Sequence, residues 1–281
     1  MKCWHMSGAG NDFMVIDARG LTLDFSALAK KLCAQVGADG FMALDTSKTA
    51  DFKLHFYNSD GTRGEMCGNG SRCICRFAYD HGIAGPEMVI EADAGLVPGK
   101  RLSETQYQVQ LNSPTVLEPE RKPGVAYIEL GNPGLPHAVT EIPDLTWESL
   151  EPLRQRAVAL RHDPAFPKGA NVNFYRLLGE GQARVLTFER GVEDYTLACG
   201  TGCGSVASTL WALGQLPGRV LDIEVRGGRL KVTVTGENGR VTSLLLEGPA
   251  EILKVYDIEI YNTMGHSAKE CPMFIFAKDR K

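Results

Sequence analysis

The sequence lacks the features that usually identify membrane and nucleic-acid-binding proteins. No segment reaches the roughly 18 consecutive apolar residues that a helix needs to cross a bilayer. The formal net charge is -4 and there is no run of five like charges, so the basic footprint of a nucleic-acid binder is missing. Met1–Gly8 becomes glycine-rich before an apolar signal segment could form. We therefore expect a cytoplasmic protein that acts on a small molecule, with no nucleic acid or membrane as partner.

Motifs that hold common cofactors and metals are also lacking. There is no Walker spacing, no Gly-Xaa-Gly-Xaa-Xaa-Gly after a strand, and no signal for a pyridoxal phosphate site. Cys199 and Cys203 are four residues apart, but no Cys-Xaa-Xaa-Cys or histidine pair completes a zinc site. We expect no cofactor and no metal, and we interpret the eight cysteines as reduced thiols.

A cysteine motif, in contrast, is present twice. Phe56–Gly70 and Phe188–Gly202 each run from a strand-like start through a polar loop to a cysteine set among glycines, with equal Phe-to-Cys spacing. The two cysteines, Cys67 and Cys199, are 132 residues apart (199 − 67). The offset persists downstream with slow drift, for example between Gly82 and Gly214. A chain of 281 residues with this repeat is predicted to contain two similar domains.

Each copy predicts a strand, the loop, a helix and then hairpin strands. The predicted helices are Ser71–His81 and Cys203–Leu213, with further helices at Phe25–Cys33 and Leu150–Arg161, and the hairpins are Met88–Leu111 and Asp222–Leu246. The domains are expected at residues 1–115 and 116–256, with a tail at 262–281. Gly8–Phe13 also resembles Gly169–Phe174, at an offset of 161, which we interpret as extra material in the first half.

The position of the two cysteines predicts their chemistry. A cysteine at the entrance to a helix lies near the first free backbone N–H groups and the positive end of the helix dipole, which favours the thiolate. The same N–H groups suit a carboxylate. Inversion at a carbon needs a base on one face and an acid on the other, and a thiolate with a thiol meets that need. The pair therefore predicts a two-base racemisation without a cofactor, assisted by preorganised donors in a water-excluded cleft.

The sequence resembles the diaminopimelate epimerase family over nearly its whole length, from about residue 1 to 261. The segments that carry the resemblance are Gly8–Phe13, Asn58–Gly61, Glu65–Arg72, Gly131–Pro133, Asn171–Val172, Glu189–Gly191 and Ala198–Gly202. The resemblance implies an isomerase that interconverts LL- and meso-diaminopimelate for lysine and peptidoglycan precursors. It implies an α/β (α+β) fold of two pseudo-symmetric domains, each a mostly antiparallel, barrel-like sheet around a central helix, with the active site in the interdomain cleft. A strand near 257–261 that returns to the first domain and a homodimer are further expectations.

The resemblance also implies roles for individual residues. Cys67 and Cys199 match the catalytic thiols. Residues that match the substrate-binding groups are Asn11, Asn58, Gly68, Asn69, Asn132, Asn171, Glu189, Arg190, Gly200 and Thr201. Glu189 and His137 match groups that assist a thiol. A substrate with two amino and two carboxylate groups suits neutral amides, one anion and one fixed cation, and Arg190 suits a carboxylate.

Two departures from the family pattern leave alternatives open. The family commonly reads Gly-Asn-Pro-His, whereas here three residues, Gly134–Pro136, separate Pro133 from His137. Tyr195 stands where an acidic residue is more familiar. A racemase of a different amino acid is therefore one alternative, and an amino-acid-binding module without catalysis is another. The remaining cysteines of the two helices, Cys73, Cys75 and Cys203, are expected only to pack.

Overall fold

The structure is a computed structural model that describes residues 1–64 and 67–259, and the backbone of residues 275–276. Its four α-helices in the described residues are Phe25–Val36 (α1), Gly68–Asp80 (α2), Leu150–Arg161 (α3) and Gly200–Ala212 (α4). The strands are Lys2–Gly8 (β1), Asn11–Asp17 (β2), Gly40–Asp45 (β3), Phe52–Asn58 (β4), Glu87–Ala92 (β5), Gly95–Arg101 (β6), Gln106–Leu111 (β7), Pro114–Lys122 (β8), Val125–Leu130 (β9), Leu135–Glu141 (β10), Asn171–Gly179 (β11), Gln182–Glu189 (β12), Asp194–Tyr195 (β13), Val220–Val225 (β14), Gly228–Glu237 (β15), Arg240–Pro249 (β16), Glu251–Ile258 (β17) and Ile275–Phe276 (β18). This mixture confirms the predicted α/β class.

The first compact unit comprises Met1–Pro98 and the described residues from Ala250 onward. Its sheet runs in the order β17, β1, β2, β3, β4, β5, with parallel pairing of β2 with β3 and of β4 with β5 and antiparallel pairing elsewhere. Helix α2 packs on β1, β2 and β3. Helix α1 packs on β2, β3 and β4 and buries Leu28, Leu32 and Cys33.

The second unit comprises Gly99–Pro249. Its strands follow the order β7, β16, β15, β14, β12, β11, β10, β9, β8, and β13 adds to β12. Helix α4 contacts strands from β8 to β11 and from β14 to β16, so this sheet curves around it. Residues on all sides of α4 are buried, which is the pattern of a helix enclosed by its own domain.

The sequence placed the main helices well. Helix α3 has the predicted bounds, and α2 and α4 begin three residues before the predicted starts. Gly82 and Gly214, which follow α2 and α4, have positive φ angles of 65° and 71°, as their predicted role in helix termination requires. The predicted turn after Glu237 is also present, with positive φ at Asn238 and Gly239.

The unit boundaries differ from those expected at residues 115 and 256. Gln106–Leu111 pairs with β16, which places the third hairpin strand of the first half in the second unit. In return, β17 pairs with β1 in the first unit from Glu251 onward. Residues 260–261 of the expected returning strand lie outside the described residues, and so does the expected tail apart from 275–276. Such long-range pairing is not visible in the local pattern.

The similarity at an offset of 161 does not correspond to equivalent structure. Gly169–Phe174 leads into β11, which follows a helix and pairs in parallel with the strand before that helix. The same position in the first unit is β3, which Gly37–Asp39 precedes, and the offset from Asp39 to Asn171 is again 132 (171 − 39). Both units carry the helix, so the inference of extra material in the first half was wrong.

A search of the described residues for a helix that is both long and apolar enough to span a bilayer finds none.

Candidate active site

Cys67 and Cys199 occupy the same local position in their two units. Cys67 is the N-cap residue of α2, with φ −131° and ψ 111°, and its Sγ accepts the N–H of Gly70 at 3.4 Å. Cys199 is the N-cap residue of α4, with φ −124° and ψ 108°, and its Sγ accepts the N–H of Gly202 at 3.4 Å. The repeated motif thus forms the same cap twice, with each sulfur at the positive end of a helix.

The surroundings of the two sulfurs differ in burial and charge. Cys199 is 8% exposed, whereas Cys67 is only partly buried. Burial raises the pKa of Cys199 well above its ordinary value, and the Glu189 carboxylate raises it further. The Thr201 hydroxyl, 3.4 Å from the sulfur, and the N–H of Gly202 lower this pKa, but their effect is smaller. The expectation that the helix end would lower the pKa of this thiol was therefore wrong, because desolvation outweighs it.

In the first unit, polar side chains form a hydrogen-bonded chain next to the start of α2. Asn69 is 2% exposed, and its Nδ2 donates to Oδ1 of Asn11 at 2.6 Å. Asn11 Nδ2 donates to Oδ2 of Asp39 at 3.2 Å. Arg72, which is fully buried, donates from Nη2 to Oδ1 of Asn69 at 3.0 Å. The structure therefore connects two predicted site residues, Asn11 and Asn69, to two that the sequence reasoning did not select.

Asn58 ends β4 beside this chain. It pairs with Gly40 across the strands, and the next residue, Ser59, donates its N–H to the Asp39 carbonyl at 3.1 Å. The Asn58 side chain is exposed and donates to Oγ1 of Thr62 at 2.9 Å. Asn58 thus closes a turn and also lies at the exposed edge next to Asp39.

In the second unit, Asn171 fixes the loop that carries Glu189 and Arg190. Its Oδ1 accepts the N–H of Arg190 at 2.8 Å, and its Nδ2 donates to the Pro136 carbonyl at 3.2 Å. The side chain is 3% exposed, so these bonds account for its amide. Arg190 in turn donates from Nη1 to the Lys168 carbonyl at 3.1 Å. Asn171 therefore holds two strand ends together beside the charged residues.

His137 lies in the core of the second unit and is linked to the start of α4. It is fully buried, and its Nδ1 lies 3.2 Å from Nδ2 of Asn173. Asn173 Oδ1 accepts from Thr187 Oγ1 at 3.0 Å and lies against Gly202, in the first turn of α4. Burial, together with the positive charge of Arg190, lowers the pKa of His137 to about 3. The imidazole is therefore neutral near pH 7, with Nδ1 as the acceptor and the proton on Nε2.

Two predicted positions lie apart from these groups. Asn132 is exposed in the turn between β9 and β10, and its bond to Pro133 is cis. Tyr195 is 9% exposed and packs edge-on against Phe188 in the core of the second unit. Burial raises the pKa of Tyr195 to about 12. The structure thus places Tyr195 as a packing residue.

The sequence reasoning missed Arg72, Asp39, Asn173 and Thr187. Signals for three of them were present. Arg72 interrupts an otherwise small or apolar helix, Asp39 lies at the repeat offset from Asn171, and Asn173 shares a strand face with Asn171 because residues two apart on a strand point the same way. Thr187 gave no signal that distinguishes it from an ordinary strand residue.

The remaining helix cysteines are buried, as expected. Cys73, Cys75 and Cys203 have no exposed surface, and burial raises the pKa of Cys73 to about 12. No group of three or more His, Cys, Asp or Glu side chains arranged to hold a metal occurs in the described part of the chain.

Each unit thus presents a thiol, free helix N–H groups and polar side chains, which together suit proton transfer next to a carboxylate. Comparison with solved structures gives the class of fold. A phenazine biosynthesis protein of the PhzF family from Bacillus anthracis matches with a TM-score of 0.67 and 16% identity, over 92% of this chain and 99% of that one. A probable proline racemase from Agrobacterium radiobacter matches with a TM-score of 0.64 and 17% identity, over 94% of both chains. These likenesses establish a fold shared with amino-acid racemases.

Comparison of sequences gives the family. The sequence model of diaminopimelate epimerase matches residues 3–117 and 130–253. The diaminopimelate epimerase of Chlorobaculum tepidum is 35% identical over 251 residues, which cover 87% of this chain and 96% of the relative. The chain belongs to the diaminopimelate epimerase family and is an isomerase of the epimerase type.

Proposed function

We propose that this protein interconverts LL- and meso-diaminopimelate through Cys67 and Cys199. The observation that carries the proposal is the repeated cysteine cap, with backbone angles within 7° of each other (131 − 124; 111 − 108) and the same N–H···S contact of 3.4 Å. A single capped cysteine would be an ordinary helix start. Two of them in a chain of this family supply the two proton-transfer groups that inversion at carbon requires.

In the proposed step, one sulfur enters as thiolate and takes the α-proton, becoming a thiol. The other enters as thiol and gives its proton to the opposite face of the same carbon, becoming a thiolate. The raised pKa of Cys199 suits the role of the proton donor in the resting enzyme. Free N–H groups at Gly68–Asn69 and Gly200–Thr201 would hold the carboxylate at which negative charge develops.

The substrate's remaining charges would be bound by the side chains identified from the family resemblance. Arg190 supplies a cation for a carboxylate, Glu189 an anion for an ammonium group, and Asn11, Asn58, Asn132 and Asn171 supply neutral amides. His137 would act as a neutral hydrogen-bonding group that orients Asn173 beneath the first turn of α4, because its pKa is about 3. No cofactor enters the proposed reaction.

The decisive experiment measures turnover and α-deuterium incorporation from LL-diaminopimelate in D₂O for the wild type, Cys67→Ala and Cys199→Ala. We expect inversion in the wild type and its loss in both variants. Cys203→Ala is the matched control, since it removes a buried thiol from the same helix as Cys199. Wild-type-like inversion in either active-site variant would contradict the two-thiol mechanism.

A racemase of a different amino acid is the second candidate. The turn at residues 131–134 supports it, because it leaves Asn132 exposed instead of within either polar group described above. A panel of single amino acids assayed beside LL-diaminopimelate decides between the two candidates. Turnover of a panel member with none of diaminopimelate favours the racemase, and binding without any turnover favours a non-catalytic module.

The cellular setting follows from the proposed substrate. We propose a cytoplasmic homodimer that supplies meso-diaminopimelate for lysine and peptidoglycan precursors. Complementation of a bacterial strain that lacks its own diaminopimelate epimerase tests the pathway role, and sedimentation of the purified protein tests the dimer. Failure to restore growth without added meso-diaminopimelate would contradict the assignment.

A further inference from the structure

We infer that Arg72 is a positioning residue of the site. Its guanidinium fixes the orientation of the Asn69 and Asn11 amides, so that Asn11 presents an N–H to a substrate carboxylate. The inference rests on the proposed function for its substrate and on the hydrogen bonds of the first unit for its geometry.

The burial of Arg72 is the first observation. The residue lies in the second turn of α2 with no exposed surface and is among the largest fully buried side chains of the described chain. Removing a charge from water is costly unless it is well paired, so a buried arginine needs specific partners. Two of its bonds go to the start of its own helix, from Nη2 to Asn69 Oδ1 at 3.0 Å and from Nη1 to the Gly68 carbonyl at 3.3 Å. Its charge is thus directed at the helix turn that follows Cys67.

The direction of the hydrogen bonds is the second observation. A guanidinium can only donate and an ionised carboxylate can only accept. Arg72 donates to Asn69, Asn69 donates to Asn11 at 2.6 Å, and Asn11 donates to Asp39 at 3.2 Å. With a cation at one end and an anion at the other, each amide between them has only one favourable orientation. Without the cation, Asn69 could turn its NH₂ group toward the Gly68 side, and Asn11 could then reverse as well.

The remaining capacity of Asn11 determines what it can bind. Its Oδ1 is occupied by Asn69, and one of its two Nδ2 hydrogens goes to Asp39. The second hydrogen remains for a ligand, and the side chain is partly exposed while Asn69 is buried. Asn11 in this orientation donates to a carboxylate, whereas the reversed amide would present its oxygen and repel one. Arg72 therefore determines the polarity of recognition from a position that does not touch the substrate.

The second unit has no equivalent of this chain. The position 132 residues after Arg72 is Gly204, where an added Cβ would lie 2.9 Å from Leu111 Cδ1 in apolar surroundings. The counterpart of Asn69 is Thr201, whose hydroxyl lies 3.4 Å from Cys199 Sγ instead. The arrangement is thus specific to the helix start at Cys67, and its loss should affect binding at one end of the substrate.

Steady-state kinetics with LL-diaminopimelate test the inference through Arg72→Met, Arg72→Lys and Asn11→Ala. We expect Arg72→Met to raise KM at least tenfold with a smaller change in kcat, and Arg72→Lys to restore part of the loss by keeping a donor. In the double variant Arg72→Met with Asn11→Ala, KM should be no more than about threefold above the worse single variant, because both changes remove the same interaction. Multiplicative effects would show that Arg72 does not act through Asn11.

Arg76→Gln is the matched control, since Arg76 lies one turn further along α2 and bonds to Asp80 and the Ala250 carbonyl. It should leave KM unchanged. An Arg76→Gln protein with the same rise in KM would assign the effect to loss of helix charge and overturn the inference.

A measurement without substrate keeps the test independent of the proposed function. Side-chain amide ¹⁵N–¹H spectra of asparagine-labelled protein should show slow hydrogen exchange at Asn69 in the wild type. In Arg72→Met, or in Arg72→Lys if the methionine variant does not fold, Asn69 and Asn11 should show faster exchange or doubled signals. Spectra that superimpose on the wild type would overturn the inference, even if the protein turned over another amino acid. Absence of diaminopimelate turnover in the wild type would count against the proposed function alone.

Discussion

Gly202 lies so close to Asn173 that a Cβ built on the glycine would be 2.3 Å from Asn173 Oδ1. The same Cβ would be 3.0 Å from Thr187 Oγ1. Asn173 cannot easily move away, because its amide bonds to the Ala138 carbonyl at 3.1 Å and accepts from Thr187. The glycine that follows Cys199 is therefore required by packing as well as by the cap.

We expect Gly202→Ala to destabilise the protein by about 1–3 kcal/mol, the usual cost of inserting a methyl group into a packed site. The helical preference of alanine, worth up to about 1 kcal/mol, offsets only part of this. Chemical denaturation measures the change. Epimerase activity should fall as well, because the N–H of Gly202 that contacts Cys199 Sγ would shift.

Gly70→Ala is the matched control, at the equivalent position of the first unit. A Cβ there would meet Met42 Sδ at 3.1 Å, and a flexible methionine can give way. The Gly70 variant should retain more stability than the Gly202 variant. Equal losses would show that the contact with Asn173 is not the cause.

The charge of Glu189 should be measurable in the reactivity of Cys199. Its carboxylate raises the pKa of this thiol, whereas the Thr201 hydroxyl lowers it. Glu189→Gln is therefore expected to move the alkylation of Cys199 to lower pH, and Thr201→Val to move it to higher pH. Peptide mapping after alkylation with a small reagent, in a Cys67→Ala background, reads out this single thiol.

Thr201→Ser is the control for the second variant, since it keeps the hydroxyl and should leave the alkylation profile in place. Shifts in the same direction for Glu189→Gln and Thr201→Val would contradict this account. Burial, the largest cause of the raised pKa, is the same in both variants.

The neutral state of His137 predicts a dependence of stability on pH. The pKa of His137 falls from an ordinary 6.5 to about 3 on folding. Between these values the unfolded chain binds a proton that the folded chain does not, so the free energy of unfolding falls as the pH falls. The slope from this one group is at most about 1.4 kcal/mol per pH unit, and it vanishes above pH 6.5.

Histidine NMR checks the cause directly. The His137 ring signals should stay constant from pH 8 to about pH 4 in the folded protein and should titrate normally in urea. A His137→Gln variant should show a flatter acid limb in denaturation experiments. Titration of His137 near pH 6 in the folded protein would show that burial does not determine its charge.

The sequence was informative where the relevant pattern was local or repeated. The equal spacing from Phe56 to Cys67 and from Phe188 to Cys199 predicted two helix starts, and both cysteines are N-cap residues. The bounds of α3 followed from local signals alone. Both features depend on residues close together in the chain or on a motif that occurs twice.

The sequence was less informative where distant segments determine the environment. The pKa of Cys199 depends on burial by strands from the whole second unit, which no local motif reports. Asn171 has the chemistry of a ligand-binding amide, yet its polar atoms bond to Arg190 and Pro136. The exchange of β7 and β17 between the halves depends on pairing across more than a hundred residues, for example Leu111 with Leu244.

A pair of buried tyrosines separates packing from polar roles. Tyr195 has a buried hydroxyl with no hydrogen-bond partner among the described residues, whereas the Tyr127 hydroxyl donates to Glu129 Oε1 at 2.7 Å. Tyr195→Phe is expected to be as stable as the wild type or slightly more stable, because it removes a buried polar atom without breaking a bond. Tyr127→Phe is expected to cost about 1–3 kcal/mol, since it breaks a bond to a charged acceptor.

Thermal and chemical denaturation of the two variants, together with KM for LL-diaminopimelate, measure both effects. KM should be unchanged in Tyr195→Phe, because the ring packs against Phe188 in the core of the second unit. A rise in KM for Tyr195→Phe at unchanged stability would instead assign the hydroxyl to substrate recognition. That result would favour the racemase of a different amino acid, the reading that the unfamiliar tyrosine at this position first suggested.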